Sequence, residues 1–387
     1  MCGVVGLFQG CPAVSFCPAR LRPARTDRAQ DPDPDAGTSA PAPAPGAGDG
    51  GAAGEEPYRS PFRTWYERAS VRQAPRRLVT AADGGVATFF PPALVPLASH
   101  RLVRDLGPAA YEQVLVQHLY RYLDFTAKLE YLVVNRTALG IAHGSVDLGL
   151  PREMRLDALK IYCDEAYHTL MTVDLLEQVT DRTRIAPRLP EEPYFLRRLA
   201  AIQESTAPEL RPLVELLFVI VSETLITGSL SAIPRDQELL PQIRDTIQDH
   251  ASDEGRHHAY FALFARHLWG ALDTRTRRWA ALRLPGLIHT FLDPDLDSMR
   301  EELLGYGMPK DSVEQVLAEV FTSAGVQAYA RSSAETTVRH FAALGVLEDP
   351  EAREAFDRQG LLPPAGPART SSAPAPGPED PVTRRAP

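Results

Sequence analysis

The chain is short of cysteine, of long apolar runs and of nucleotide-binding signatures, and each shortage removes a class of protein. Of its 387 residues only four are cysteines. Cys2, Cys11 and Cys17 fall in the first stretch and Cys163 in a helical one. That is no disulfide framework and fits a reducing cytoplasm. No stretch approaches the ~18 uninterrupted apolar residues that a membrane span needs. Residues 1–17 carry neither Lys nor Arg and are broken by Gly and Pro, so no secretory signal is expected. No basic stripe interleaved with aromatics occurs, and the net charge of −9 is spread over mixed signs. Nucleic acid is therefore not the expected partner. No Gly-x-Gly-x-x-Gly follows a strand-like run, so neither flavin nor nicotinamide is expected on the chain. Any electrons must then come from a separate reductase or a small-molecule reductant.

What the chain does contain is an ordinary globular composition, 44% hydrophobic and 24% charged. It is unevenly distributed. Residues 18–56 are dominated by Pro, Ala, Gly and Asp, and residues 363–387 by Pro, Ala and Ser. Such segments cannot offset their ordering entropy by burial. We expect disordered tails at 1–60 and 363–387 around a single domain at 80–362. The opening Met-Cys-Gly-Val-Val-Gly resembles the start of class II glutamine amidotransferases, in which Cys2 would be the nucleophile. That fold needs a β-rich sequence immediately afterwards, and a low-complexity tail follows instead.

Between the tails the pattern is helical, with no sustained period-two alternation and no internal repeat. Pro and Gly punctuation predicts long helices over 108–143, 152–179, 209–232 and 235–270. Shorter ones are expected at 194–204, 274–290, 296–305, 310–322 and 325–345. The fold class is all-α: a ferritin-like four-helix bundle with additional helices.

Each long helix carries a polar anomaly on its apolar face. In 235–270, Ile243, Ile247, His250, Glu254, His257, Phe261, Phe264 and Leu268 share one stripe, with three polar groups at its centre. Glu223 lies among Val219, Ile220, Ile226 and Leu230. Glu165 and His168 lie between Ile161 and Leu176, and Glu130 between Ala127 and Val134. Desolvating one unpaired carboxylate costs several kcal/mol. No Lys or Arg stands at the stripe centres to compensate. Two divalent ions would balance four carboxylates. The spacing agrees: Glu165-x-x-His168 and Glu254-x-x-His257 each aim two donors from one helix side, while Glu130 and Glu223 stand alone. This is the dimetal carboxylate arrangement of ferritin-like bundles. Oxygen and nitrogen donors without thiolates suit iron; a manganese–iron pair stays open.

His250, one turn before Glu254, exceeds the six ligands such a site needs. With it, four segments carry a resemblance to a known family: Leu129-Glu130-Tyr131, Asp164-Glu165-Ala166-Tyr167-His168, Ser222-Glu223-Thr224, and His250-Ala251-Ser252-Asp253-Glu254-Gly255-Arg256-His257. Over roughly residues 90–330 the chain resembles the arylamine N-oxygenases, exemplified by p-aminobenzoate N-oxygenase. The resemblance implies that Glu130, Glu165, His168, Glu223, His250, Glu254 and His257 hold two irons. It also implies that dioxygen is reduced to a long-lived peroxo species. An arylamine would then be oxygenated to hydroxylamine, nitroso or nitro product in the making of a specialised metabolite. It points to a homodimer as well. Two other readings stand beside it: a diiron carbon hydroxylase or desaturase, and a non-enzymatic iron-binding bundle.

Further residues take expected roles. Asp164, Asp249 and Asp253 are candidates to accept the second ring N–H of a ligand histidine. Tyr131, Tyr162 and Tyr167 are expected in the core or lining a cavity, Cys163 as a small buried filler, and His258 beside the site or on the surface. Arg136 and Arg331 are candidates to hold a substrate carboxylate.

Overall fold

The structure, a computed structural model, describes residues 58–79, 88–146 and 148–363, the side chains of 227–229 and 231 excepted. The amidotransferase-like start, Cys2, Cys11, Cys17 and nearly all of both expected tails lie outside these residues.

The first elements are short: α1 (Trp65–Arg68), α2 (Ser70–Gln73) and α3 (Arg101–Arg104). The first long rod begins at α4 (Pro108–Leu129), with Pro108 in its first turn, where the missing N–H is no loss. It runs through one π-helical turn, Glu130–Val134, into α5 (Asn135–His143). Gly144 ends it at φ 73°, a left-handed position that glycine adopts without strain. The rod packs along α6 (Arg152–Thr183). After α7 (Tyr194–Glu204), the second pair forms from α8 (Arg211–Ala232) and α9 (Pro241–Ala271). α6 and α9 also touch, so the two pairs close into a four-helix core.

The remaining helices wrap that core. They are α10 (Thr274–Leu292), α11 (Leu296–Gly305), α12 (Lys310–Val320), α13 (Ser323–Ala343) and α14 (Pro350–Arg358). α10 and α13 lie on α8, and α14 lies on α10. Asp273, Asp295, Thr322 and Asp349 cap four of these starts by accepting backbone N–H groups. Among the described residues there is no strand, only a parallel bridge between Thr88 and Leu239. None of the described helices is long and apolar enough to cross a membrane.

The all-α bundle expected from sequence is what forms, with three differences. The predicted helix at 235–270 starts at Pro241, because the proline holds Leu240 extended (ψ 127°). α14, announced by the Asp349-Pro350 start, was not anticipated. Packed chain also precedes Thr80. Phe62 and Ala69 are fully buried, Trp65 nearly so, and Tyr58 donates its hydroxyl to Asp157 at 2.7 Å.

The C-terminal helix is tied down by a histidine. His289 Nδ1 lies 2.7 Å from Asp293 Oδ1, and Nε2 lies 3.0 Å from the Gln359 carbonyl. Both partners are acceptors, so only the doubly protonated ring satisfies both. The hydrogen bond to Asp293 leads in raising the ring above its ordinary value of 6.5. A raised folded value gives stability that is complete below 6.5 and is lost as pH rises through the raised value. His289→Gln should therefore lower stability by about 1–2 kcal/mol at pH 6. The deficit should shrink as pH climbs past neutrality. Thermal melts of both proteins across pH test this, and a pH-independent deficit would refute it.

Candidate metal centre

All seven residues singled out from the sequence are buried in the middle of the four-helix core, each 2% exposed or less. Glu130 comes from the π-helical turn, Glu165 and His168 from α6, Glu223 from α8, and His250, Glu254 and His257 from α9. The donor atoms of Glu165, His168, Glu254 and His257 form one group within 4.8 Å of one another, and those of Glu130, His168 and His250 a second. Glu223 belongs to neither, but its Oε2 lies 3.8 Å from His257 Nδ1. His250 Nε2 points at Glu254 Oε1 (3.0 Å) and Glu130 Oε1 (3.2 Å), and its ring lies 4.1 Å from that of His168.

A protein that buries four carboxylates normally gives each oxygen a hydrogen-bond donor. Here it does not. Among the described residues, Glu130 Oε1, Glu165 Oε1, Glu223 Oε2 and Glu254 Oε2 have no hydrogen-bond partner, and neither does His257 Nδ1. Glu165 Oε1 and His257 Nδ1 are 2.9 Å apart, yet they are not aligned as donor and acceptor. One lone-pair oxygen from each of four carboxylates converges on a buried centre with imidazole nitrogens among them. That donor set fits divalent cations and fits a hydrogen-bond network poorly.

The histidines are aimed by a crossed pair of aspartates. His257 of α9 presents Nε2 to Asp164 of α6 at 3.2 Å, and His168 of α6 presents Nε2 to Asp253 of α9 at 3.0 Å. Each ring is thereby turned with Nδ1 toward the cluster. Each helix carries Asp-Glu-x-x-His, and each aspartate serves the other helix's histidine. Both aspartates are then held by the chain before Thr80. Trp65 Nε1 donates to both oxygens of Asp164 (2.8 and 2.9 Å). The Ser70 amide donates to both oxygens of Asp253 (3.3 and 3.1 Å), which Arg256 also pairs. Phe62 stacks 5.9 Å from His257. Thr169 donates to Glu130 Oε2 at 3.1 Å.

Charge in the cluster is divided unequally. Burial, reinforced by neighbouring carboxylates, holds Glu130 and Glu223 well above the usual carboxylate range. Burial acts the same way on Glu165 and Glu254, but His257 together with His168 for the first and His250 for the second outweighs it and lowers both. Burial opposes charge on His168 and His257. The carboxylates around them, Asp253 and Glu165 for the first, Glu254 and Glu165 for the second, win and raise both well above 6.5. Burial and the neighbouring His168 lower His250. The raised carboxylates and histidines thus favour holding protons where no cation is bound.

Of the other expectations, Asp164 and Asp253 orient histidines and Asp249 does not: its carboxylate pairs with Arg77 at 2.8 Å. Tyr131 (44%) and Tyr162 (39%) are exposed, and Tyr167 is half-buried, donating to the Ala74 carbonyl. None lies in the core. Cys163 is exposed rather than a buried filler. It stands two residues, about 200°, from Glu165 and so on the opposite side of α6. His258 turns from the cluster toward His340, with Nε2 atoms 3.1 Å apart. Arg136 is 55% exposed beside Glu215. Neither it nor Arg331 is buried. Sequence reasoning missed Trp65, Ser70 and Tyr122. Among the described residues the buried Tyr122 hydroxyl has no hydrogen-bond partner, and burial and the Glu130 and Glu254 charges push its ionisation upward. Eight residues before Glu130 puts it two turns earlier and about 80° round the helix, so spacing alone gave no clear signal for it.

A ferritin-like bundle with histidines and carboxylates converging at its centre defines the class of protein. Residues 73–345 match the protein family described as p-aminobenzoate N-oxygenase AurF, and the chain belongs to that family. It is accordingly an enzyme of the oxygenase kind. Comparison with curated protein sequences gives no match.

Two outcomes test the site. Asp164→Asn and Asp253→Asn should each weaken metal binding by roughly 10–100-fold while the helical circular dichroism stays intact. Loading with two divalent ions near neutral pH should release about four protons, one each from Glu130, Glu223, His168 and His257. Indicator-dye titration in weak buffer measures this, and ion uptake without proton release would contradict the charge balance.

Proposed function

We propose that this enzyme uses dioxygen to oxygenate the nitrogen of an arylamine at two iron ions held by Glu130, Glu165, His168, Glu223, His250, Glu254 and His257. The observation that carries the reading is the convergence of these seven donors, His250 included, with one unpartnered oxygen on each of the four carboxylates. The family match supports the substrate class.

When bound, the ions would supply electrons to dioxygen and Lewis acidity to hold its reduced form. The chain's own residues do the rest. Asp164 and Asp253 fix the rings of His257 and His168, so the donors need no reorganisation during turnover. Phe62, Phe261 and Phe264, all fully buried, keep water from the centre. Thr169 fixes Glu130, leaving its Oε1 directed to the cluster beside His250. The Tyr122 hydroxyl offers a buried hydrogen-bond donor near Glu130 and Glu254. In the first oxygenation an N–O bond forms and the O–O bond breaks. The second oxygen leaves as water, with two electrons and two protons supplied from outside. The product is a hydroxylamine, and further rounds would give nitroso and nitro groups. An external reductase or small-molecule reductant supplies the electrons.

The test combines metal analysis with stopped-flow absorption after the reduced protein meets dioxygen, with and without p-aminobenzoate. About two irons per chain and a visible absorbance that the amine discharges, with an N-oxygenated product, are expected. A manganese–iron pair would appear in the same metal analysis. An absorbance that ignores amines would move the substrate class to carbon, and many irons per chain would indicate storage. His250→Ala should keep the helical fold and shorten the lifetime of that absorbance, with loss of product. An unchanged lifetime and yield would remove His250 from its role.

A further inference from the structure

Residues 74–79 cross the groove between α6 and α9 without a helix of their own. A cavity of about 300 Å³ lies beneath them. Pro75–Arg77 cover it, Met171 and Leu175 of α6 form one wall, and Thr246 and Asp249 of α9 form the other. The contacts of His168 with Asp253 and of Asp164 with His257 make α6 and α9 antiparallel here. Met171 is therefore level with His250, and Leu175 with Thr246. Thr246 stands one turn of α9, about 6 Å, from His250. Beside that histidine, Glu130 Oε1 lies 3.2 Å from Nε2 and, among the described residues, has no hydrogen-bond partner. The inner end of the cavity thus approaches the donor cluster from the side of His250.

The cover is latched by side chains. Arg76 makes two hydrogen bonds to Asp174 (2.9 and 2.6 Å), and Arg77 makes two to Asp249 (3.1 and 2.8 Å). Gln178 accepts from the Val79 amide at 2.8 Å and donates to the Arg77 carbonyl at 3.0 Å. The Tyr167 hydroxyl donates to the Ala74 carbonyl at 3.2 Å. Among the described residues no backbone–backbone hydrogen bond ties down 75–79. The Arg76 side chain is 66% exposed, and ion pairs in water contribute little. A cover held in this way opens more readily than a helix packed into the core. Two carboxylates on a rim would by themselves be solvated charges. Here they line a cavity that leads toward His250, and two arginines occupy them while it is shut.

We propose that residues 74–79 latch a loading port: when Arg76 and Arg77 release Asp174 and Asp249, a divalent cation enters between α6 and α9, drawn by the two freed carboxylates, and meets His250 first. The port rests on the reading of the seven donors as a metal centre, whichever metal that is. It gives His250, the donor beyond the usual six, a part in uptake.

Cobalt(II) is a suitable probe, because its visible absorbance follows both uptake by the full chain and release to excess EDTA. Arg76→Gln with Arg77→Gln opens the latch and spares the carboxylates. Uptake and release should both quicken roughly tenfold, about what two exposed ion pairs are worth together, with two ions still bound per chain. Asp174→Asn with Asp249→Asn breaks the same ion pairs but removes the attraction. Its release should quicken as much, while its uptake should fall behind that of the arginine variant. A segment that merely frays would respond alike to both pairs of substitutions, so equal uptake by the two variants would overturn the port. So would two ions bound by the arginine variant at wild-type rates. A chain that takes up no cobalt would overturn the metal centre itself, and the port with it.

Discussion

Four carboxylates in one buried interior are the constraint from which the rest of this structure follows. Each ion would cost several kcal/mol to desolvate alone. Among the described residues no buried Lys or Arg meets them: the nearly buried Arg121 is committed to Glu302, and Arg256 to Asp253. What it brings is imidazole. Glu165 and Glu254 stay charged beside His257, and Glu130 and Glu223 are driven toward neutrality. A cluster that balances itself with exchangeable protons is prepared to exchange them for cations.

The crossed aspartates turn that local balance into architecture. Asp164 and Glu165 are neighbours on α6, yet they act on different helices' problems: the glutamate faces the cluster and the aspartate orients α9's histidine. Asp253 and Glu254 do the converse. The α4–α6 and α8–α9 pairs are thus locked at the site itself. Because Trp65 and the Ser70 amide hold the two aspartates, residues 58–79 are part of the site, although no atom of theirs joins the donor cluster. The π-helical turn at Glu130 belongs to the same logic. An extra residue in one turn re-aims the side chains that follow, and such turns recur where a helix serves a site at the expense of its own regularity.

The bundle and the burial of seven polar side chains at its centre were legible because both rest on periodicity. A polar group at the centre of an apolar stripe is anomalous on one helix and coherent on four. Proline marked the starts of α4 and α6 correctly, and Gly144 the end of the first rod. The α9 start was misplaced because Asp236–Leu240 is polar and apolar enough to pass for helix. Only the extended bias before Pro241 argued otherwise. The choice among Asp164, Asp249 and Asp253 could not be made from spacing, since each neighbours a ligand histidine or glutamate. It depends on Arg77, which occupies Asp249 from a segment with no periodic signal. Cys163 and Tyr162 were legible in principle. Their angular offsets from Glu165 turn Cys163 to the outer side and Tyr162 to its edge, and adjacency in sequence was mistaken for adjacency in space.

That error points to what is unusual in α6. A helix on the rim of a bundle normally has one apolar stripe and one solvated face. In α6 the inner stripe carries Glu165 and His168, one flank carries Asp164 beneath Trp65, and the outer stripe is again apolar from Leu156 to Val173. Its charges are pushed to the ends. What fixes the rotation of α6, and so where Glu165 and His168 point, is the inner stripe together with the hold of Trp65 on Asp164.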